Sequence, residues 1–216
     1  SINMNATVQF AATLAKFSYL YQNYDRAFAT QCLNAADRAY RYVGKYIEDV
    51  TAEEYFHAAA ELYRATGSYG YHTAVKDYMA EHIPADMKND HVFWGCVTYM
   101  STKQKVDVGL CGETMKTLMQ EGERIAGNSQ RSGLLINDAG EEGGNAELLR
   151  DITRLTVVDH VITNHEYAMV LQNHLHYMLG RNLQSISYLD KSGSYNYMDI
   201  DAAQGIMNQI DLNAEL

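Results

Sequence analysis

The sequence predicts an all-α protein built of antiparallel helical hairpins, on three observations. Proline occurs once, at Pro84. Apolar residues recur at spacings of three and four along several long runs, and no stretch shows the strict alternation of a half-buried strand. Side chains suited to capping and glycines suited to stopping helices then divide the chain into segments.

Ala6 to Tyr21 reads as the first helix. Asp25 is placed to cap a second that continues to about Glu48, and the short link between them favours a hairpin. Thr51 and Glu54 form a T-x-x-E capping box, opening a third helix that runs through Phe56, Ala59, Ala60, Leu62 and Tyr63 to a stop at Gly67. A fourth runs from about Tyr71 to His82, where Pro84 ends it. Val92 to Met100 and Gly112 to Ile125 follow as shorter helical segments. From Ala126 to Gly144 the chain is rich in glycine and polar residues, which predicts a long loop of the kind that often carries function. Asn145 is placed to cap the next helix, to about Thr163. Its hairpin partner is the run YAMVLQNHLHYMLGRN from Tyr167 to Asn182. There Asn164 can cap, and Tyr167, Val170, Leu171, His174, Leu175, Met178 and Leu179 form one apolar face. Gly180 suits a left-handed C-terminal cap, and Arg181 meets the negative helix end. A loop to about Asp199 and a terminal helix from Asp201 complete eight or nine helices. A solenoid of helix pairs would repeat its signature at a period of about 34 residues, and no such repeat occurs.

Composition narrows the function classes. A chain of 216 residues, 47% of them hydrophobic, can bury a sizeable core as one domain or a large part of one. No window of about 18 apolar residues exists. The N-terminus lacks a charged region followed by an apolar run, so a soluble chain with no membrane partner is expected, any export signal lying outside it. The net charge of -10 and the scattering of 17 basic residues argue against a nucleic-acid partner, because phosphate binding needs clustered Lys and Arg. Cys32, Cys96 and Cys111 are odd in number and form no C-x-x-C pair, so they read as core thiols. Seventeen tyrosines against one tryptophan favour wet clefts or sugar rings, since Tyr joins an apolar face to a hydroxyl.

Metal and nucleophile chemistry find little support. His174 and His176 sit about 200° apart on a helix and cannot share a metal, and His160 and His165 straddle a proposed turn, where each reads as satisfied or exposed. Asp199 and Asp201 lack the glycine and later glutamate of a calcium loop. No G-x-S-x-G marks a nucleophile elbow. No metal site and no cofactor are therefore assigned.

Several segments resemble glycoside hydrolase family 9, the cellulases and related β-glucanases. The helix closing with LGRN, Leu179 to Asn182, is similar to the family's signature helix. ATVQFAATLAKFSYLYQNYDRAFATQCLNAADRAY, Ala6 to Tyr40, looks like the family's alanine-rich helix leading through a Tyr-Asp turn into the next. AAAELYRATG, Ala58 to Gly67, resembles its AAELY-ATG hairpin, and Gly143, Gly144 and Asn145 stand where relatives carry W-G-x-N. The matches follow the family's order over nearly the whole chain. They imply that residues 1–216 are the C-terminal part of a family 9 catalytic domain, part of an (α/α)6 toroid acting on β-1,4-glucan or cello-oligosaccharides with inversion. Extracellular or cell-surface placement, a structural calcium at an unassigned position, and pairing with an N-terminal half or a second copy are implied with it.

The same resemblance marks what is missing. The family's D-A-G-D aspartates, which position and deprotonate water, are absent from this sequence, as is its H-H-R. Leu183 replaces the proline after LGRN, and Glu142 the tryptophan of W-G-x-N. NQIDLNAEL, Asn208 to Leu216, is similar to the family's closing A-I-D-Y-N-A, and that register puts Met207 at the general-acid position. A thioether cannot donate a proton to a leaving oxygen, and Glu215 lies on the far side of that position. Inverting hydrolysis needs two carboxyls about 6.5 to 9.5 Å apart. No catalytic residue is assigned, Asp138, Glu141 and Glu142 reading as a solvated acidic loop. For sugar contact the expected residues are Trp94, Tyr99, Asn145 and Tyr188, because carbohydrate sites stack ring faces on aromatics and bond hydroxyls with amides. With these losses, the isolated chain is expected to be inactive, and a non-catalytic glucan- or partner-binding domain is the alternative.

Overall fold

The computed structural model describes residues 3–82, 86–137, 144–162 and 167–189, and every regular element among them is helical. The helices are α1 (Met4–Tyr21), α2 (Arg26–Val43), α3 (Ala52–Thr66), α4 (Tyr69–His82), α5 (Asp90–Met100), α6 (Val108–Arg131), α7 (Gly144–Ile162) and α8 (Ala168–Met178), with a 3-10 turn at Ile47–Asp49. The all-α class holds.

Side-chain caps set the starts of four of them. Asn3 Oδ1 accepts from the Ala6 N–H at 3.0 Å, Asp25 Oδ1 from Phe28 at 2.9 Å, and Thr51 Oγ1 from Glu54 at 3.3 Å. Asn89 Oδ1 takes two first-turn donors, His91 at 2.9 Å and Val92 at 3.3 Å. Each bond satisfies an amide that has no partner within its own helix. α3 stops at Gly67, whose φ of +65° is the left-handed value that glycine adopts without steric cost.

The structure corrects four boundaries. α2 ends at Val43, not near Glu48, and Gly44 continues it with φ -59° rather than turning left-handed. α6 begins four residues before Gly112 and runs through the expected loop as far as Arg131. Asn145 lies inside α7 instead of capping it, because the helix already opens at Gly144. α8 is shorter than the periodic run, with Tyr167 at its start making no side-chain cap. Asn164, the proposed cap, lies outside the described residues, as do the loop beyond Leu189 and the expected helix from Asp201.

The chain divides into two compact units, one up to Thr117 and one from Leu118. In the first, α3 is the central element: α1 and α5 both pack on it, α4 also packs on it, and α2 packs mainly on α1. Ala58, Ala59, Ala60 and Leu62 are buried for this reason, since a helix with neighbours on every side must be apolar all round. α5 comes close because Gly95 has no side chain; a Cβ there would stand 2.4 Å from the Phe56 ring. Phe56 in turn stacks on Tyr78 of α4, with centroids 4.2 Å apart.

In the second unit α7 packs on α8, and Ile136, Leu148, Ile152 and Met178 form a core cluster. The end of α8 is a Schellman motif. The Arg181 N–H donates to His176 O at 2.8 Å and the Gly180 N–H to Tyr177 O at 3.1 Å, with Gly180 at φ +125°. That is the role the sequence assigns to this glycine.

Candidate functional site

In the first unit three helices enclose a cavity of about 460 Å³. α1 contributes Gln9, Ala12, Thr13 and Lys16, which share one helical face at spacings of three and four. α3 contributes Glu54, His57 and Glu61, and α5 contributes Asp90, His91 and Trp94. Lys16 Nζ lies 5.3 Å from the centre of the Trp94 ring, within the range of a cation–π contact. The lining thus combines one indole ring with imidazoles and carboxylates.

Those carboxylates are tied into the fold. Glu54 sits in the first turn of α3, where Thr51 Oγ1 donates to its Oε2 at 3.3 Å and Gln9 Nε2 to its Oε1 at 2.9 Å. Glu61 is almost fully buried. It accepts from Arg64 at 2.6 Å and from Thr98 Oγ1 at 2.9 Å. Burial alone would raise its pKa, but His57, Arg64 and Thr98 around it bring the carboxyl below its ordinary value. A general acid must hold a proton near neutral pH, so Glu61 is unsuited to that role. Seven residues of helix also separate Glu54 from Glu61, a rise of about 10.5 Å, rather than the facing arrangement of a hydrolytic pair.

The four residues chosen from the sequence are placed differently. Trp94 lines the cavity and is partly exposed. Tyr99, five residues along the same helix, is fully buried. Its hydroxyl accepts from the Asp107 N–H at 2.8 Å and lies 2.9 Å from His72 Nε2, and burial pushes its pKa up to about 12. Tyr99 is a core anchor in place of the ligand contact expected of it, because no face of its ring is open. Asn145 is half-buried in the first turn of α7. Tyr188 is half-buried, donates from its hydroxyl to Gln184 Oε1 at 3.0 Å and lies 5.9 Å from the Tyr177 ring. The first two belong to the first unit and the last two to the second. Asp138, Glu141, Glu142, Met207 and Glu215 lie outside the described residues.

His57, His91, Glu54, Glu61 and Lys16 are site residues that the sequence reading passed over. A signal existed in α3, where Glu54, His57 and Glu61 recur at spacings of three and four on an otherwise alanine-rich helix. His91 comes from 34 positions away and gives no such signal. Among the described residues no group of three or more His, Cys, Asp or Glu side chains is placed to hold a metal ion.

The LGRN residues of the second unit brace the backbone. Asn182 Nδ2 donates to Tyr177 O at 2.9 Å and Ile186 O at 2.8 Å, and its Oδ1 accepts from the N–H of Gln184 at 3.1 Å and of Ile186 at 3.4 Å. One amide therefore uses both donors and its acceptor to fold 182–186 against the end of α8. Arg181 donates to Asn173 Oδ1 at 2.8 Å. Deeper in this unit His174 Nε2 accepts from the Asn137 N–H at 3.0 Å, while its Nδ1 meets Val170 O at 2.8 Å. That pairing assigns the proton to Nδ1. Asn137 also donates to Asp151, whose pKa burial raises.

Comparison with known proteins follows the same lines. The family model described as Glycosyl hydrolase family 9 matches residues 2–200. The chain is 26% identical over 242 residues to a cellulose 1,4-beta-cellobiosidase of Acetivibrio thermocellus, covering 89% of this chain and 27% of that protein. It is 24% identical over 227 residues to a cellodextrinase of Butyrivibrio fibrisolvens, covering 89% and 42%. Among solved structures, a metagenome-derived glycoside hydrolase family 9 endoglucanase superposes with a TM-score of 0.81 at 24% identity, over 90% of this chain and 40% of that one. AaCel9A in complex with cellobiose-like isofagomine gives 0.78 at 22% identity, over 90% and 41%. The chain thus spans less than half the length of each of these relatives.

Proposed function

The chain belongs to glycosyl hydrolase family 9, and from that premise we propose that it is the C-terminal part of a catalytic domain which, in the full-length protein, hydrolyses β-1,4-glucan with inversion. In this reading the chain supplies scaffold and one sugar-stacking wall, while the acid and base come from elsewhere in the protein. The observation that carries it is the cavity beside Trp94, a half-buried aromatic ring with Lys16 Nζ over one face, next to hydroxyl- and amide-bearing side chains. Such a surface suits a neutral polyhydroxylated ring, whose axial C–H face stacks on indole while its hydroxyls exchange hydrogen bonds with Gln9 and Thr13.

Inversion requires a protonated carboxyl on one side of the bond and a basic one on the other. Glu54 and Glu61 are engaged in structural bonds, and Met207, in the register of the closing motif, has no proton to give. Cello-oligosaccharides are the matching ligand class, since two of the similar proteins are named for cellulose and cellodextrin. Extracellular or cell-surface action fits a polymeric substrate that cannot enter a cell, and among the described residues no helix is long and apolar enough to cross a membrane.

Trp94 is the only tryptophan in the chain, so indole emission, excited beyond the tyrosine absorption, reports this wall alone. Titration with cellohexaose should give a saturable change in its emission, and Thr13→Ala should weaken the binding. An emission spectrum unmoved at millimolar sugar would remove the cavity from the proposal. The second reading, a non-catalytic glucan-binding domain, is favoured by the structural use of both glutamates; it expects the same fluorescence response but no hydrolysis by the full-length protein.

A further inference from the structure

His57 on α3 and His91 on α5 meet with their Nδ1 atoms 3.4 Å apart. Their ring centroids are 5.6 Å apart, close to that nitrogen separation plus one ring radius on each side, so the two nitrogens point at each other nearly head-on. Each ring turns its other nitrogen towards a carboxylate. His57 Nε2 is 3.8 Å from Glu61 Oε1, and His91 Nε2 is 3.8 Å from Glu54 Oε1. The four side chains form a row, Glu54, His91, His57, Glu61, along the cavity wall.

Proton counting decides what this row can hold. An ionised carboxylate only accepts, so both Nε2 atoms are best protonated. Between the Nδ1 atoms one must donate and the other accept, because two lone pairs or two N–H groups facing each other repel. Three protons on four ring nitrogens satisfy every position, which makes the pair one imidazolium and one neutral imidazole. A pair of neutral rings leaves one bare Nε2 facing a carboxylate. A doubly charged pair sets N–H against N–H.

A metal ion fits less well. Two imidazoles ligating one ion converge on a third point rather than on each other, and among the described residues no group of three ligands is assembled.

We propose that His57 and His91 share a single positive charge, and that a second proton breaks their contact, parts α3 from α5 at this point and reshapes the cavity wall beside Trp94. The charged surroundings are Lys16 on α1, Glu53, Glu54, Glu61 and Arg64 on α3, and Asp90 on α5; on α4, Tyr78 lies against Phe56 and near the charge of Glu53. Burial, then the charge on His57, lower the pKa of His91, which agrees with one charge for two rings. The pair is independent of whether the cavity takes a sugar, and its test uses none.

The experiment is a histidine 13Cε1 NMR titration of the chain from about pH 8 to about pH 5, the range in which imidazoles change charge, with Trp94 emission followed in parallel. His57 and His91 are expected to titrate in two separated steps, with both resonances moving in each. Trp94 emission should change with the acid step. In His57→Gln, His91 should titrate in one step at higher pH than the acid step of the unsubstituted chain, and Trp94 emission should no longer follow it. Glu54→Gln, which removes only the carboxylate facing His91, should move the loss of the shared charge to lower pH. Independent single-step curves, unchanged for His91 when His57 is replaced, would overturn the proposal, as would Trp94 emission that stays flat through the acid step.

Discussion

His174 shows how one buried side chain ties stability to pH. It is fully buried between Asn137 and Val170, and burial lowers its pKa from the ordinary 6.5 although the backbone bond to Val170 and the charge of Asp151 oppose this. Above 6.5 the ring is neutral in the folded and unfolded states alike. As pH falls below that value the unfolded chain takes up the proton first, so stability falls until the folded pKa is passed. Asp151 acts in the opposite sense at lower pH: its raised pKa lets the folded state take up a proton before the unfolded one. Urea denaturation at about pH 7.5 and about pH 5.5, either side of the imidazole range, should show a lower midpoint at the acid value and a smaller difference in His174→Gln. An equal or larger difference in the variant would contradict this account of His174. At the same scale the site was only partly legible. Trp94 could be singled out as the sole tryptophan, whereas Tyr99 could not be recognised as buried, because its partners His72 and Asp107 come from separate segments.

Among the elements, α5 approaches α3 closely at Gly95, where a Cβ would stand 2.4 Å from the Phe56 ring. Gly95→Ala should destabilise the chain by about 1–3 kcal/mol through overpacking against Phe56, seen as a fall in Tm. Gly112 in α6 is the contrast, since a Cβ there meets nothing within 4 Å. Gly112→Ala should stabilise by about 0.5–1 kcal/mol through helix propensity alone. Equal effects at the two positions would mean that the Gly95 contact is not as close as described. Local signals were readable wherever they decide a boundary: the Thr51 cap, the Gly67 stop and the Gly180 turn are each set by residues within one helical turn. The extension of α6 was not readable. Gly127, Asn128 and Ser129 resemble a loop, yet Asn128 bonds to Asn137, beyond the helix end, at 3.0 Å and Ser129 is buried, so contacts outside the helix override propensity. The end of α2 was hidden for the same kind of reason. A Cβ on Gly44 would stand 2.8 Å from the Tyr55 hydroxyl on α3, a constraint invisible in the sequence around it.

At the scale of the whole molecule, the family 9 model matches residues 2–200 of the chain, which spans less than half of the length of its relatives. The family was legible because LGRN and the AAELY-ATG segment are local wordings with structural duties: Asn182 folds the chain after α8, and the alanines let α3 sit among four neighbours. The chemistry was legible mainly as a loss, in the missing D-A-G-D and in the Met207 that the resemblance of the closing motif sets at the acid position, a residue outside the described ones. Both glutamates of the cavity accept structural bonds, which agrees with a chain that shapes the cleft without supplying its acid and base. The most direct test is the release of reducing ends from soluble cellulose by the full-length protein and by the 216-residue chain under the same conditions. The account expects release by the full-length protein and none by the chain. Release by the chain alone, or none from the full-length protein, would contradict it.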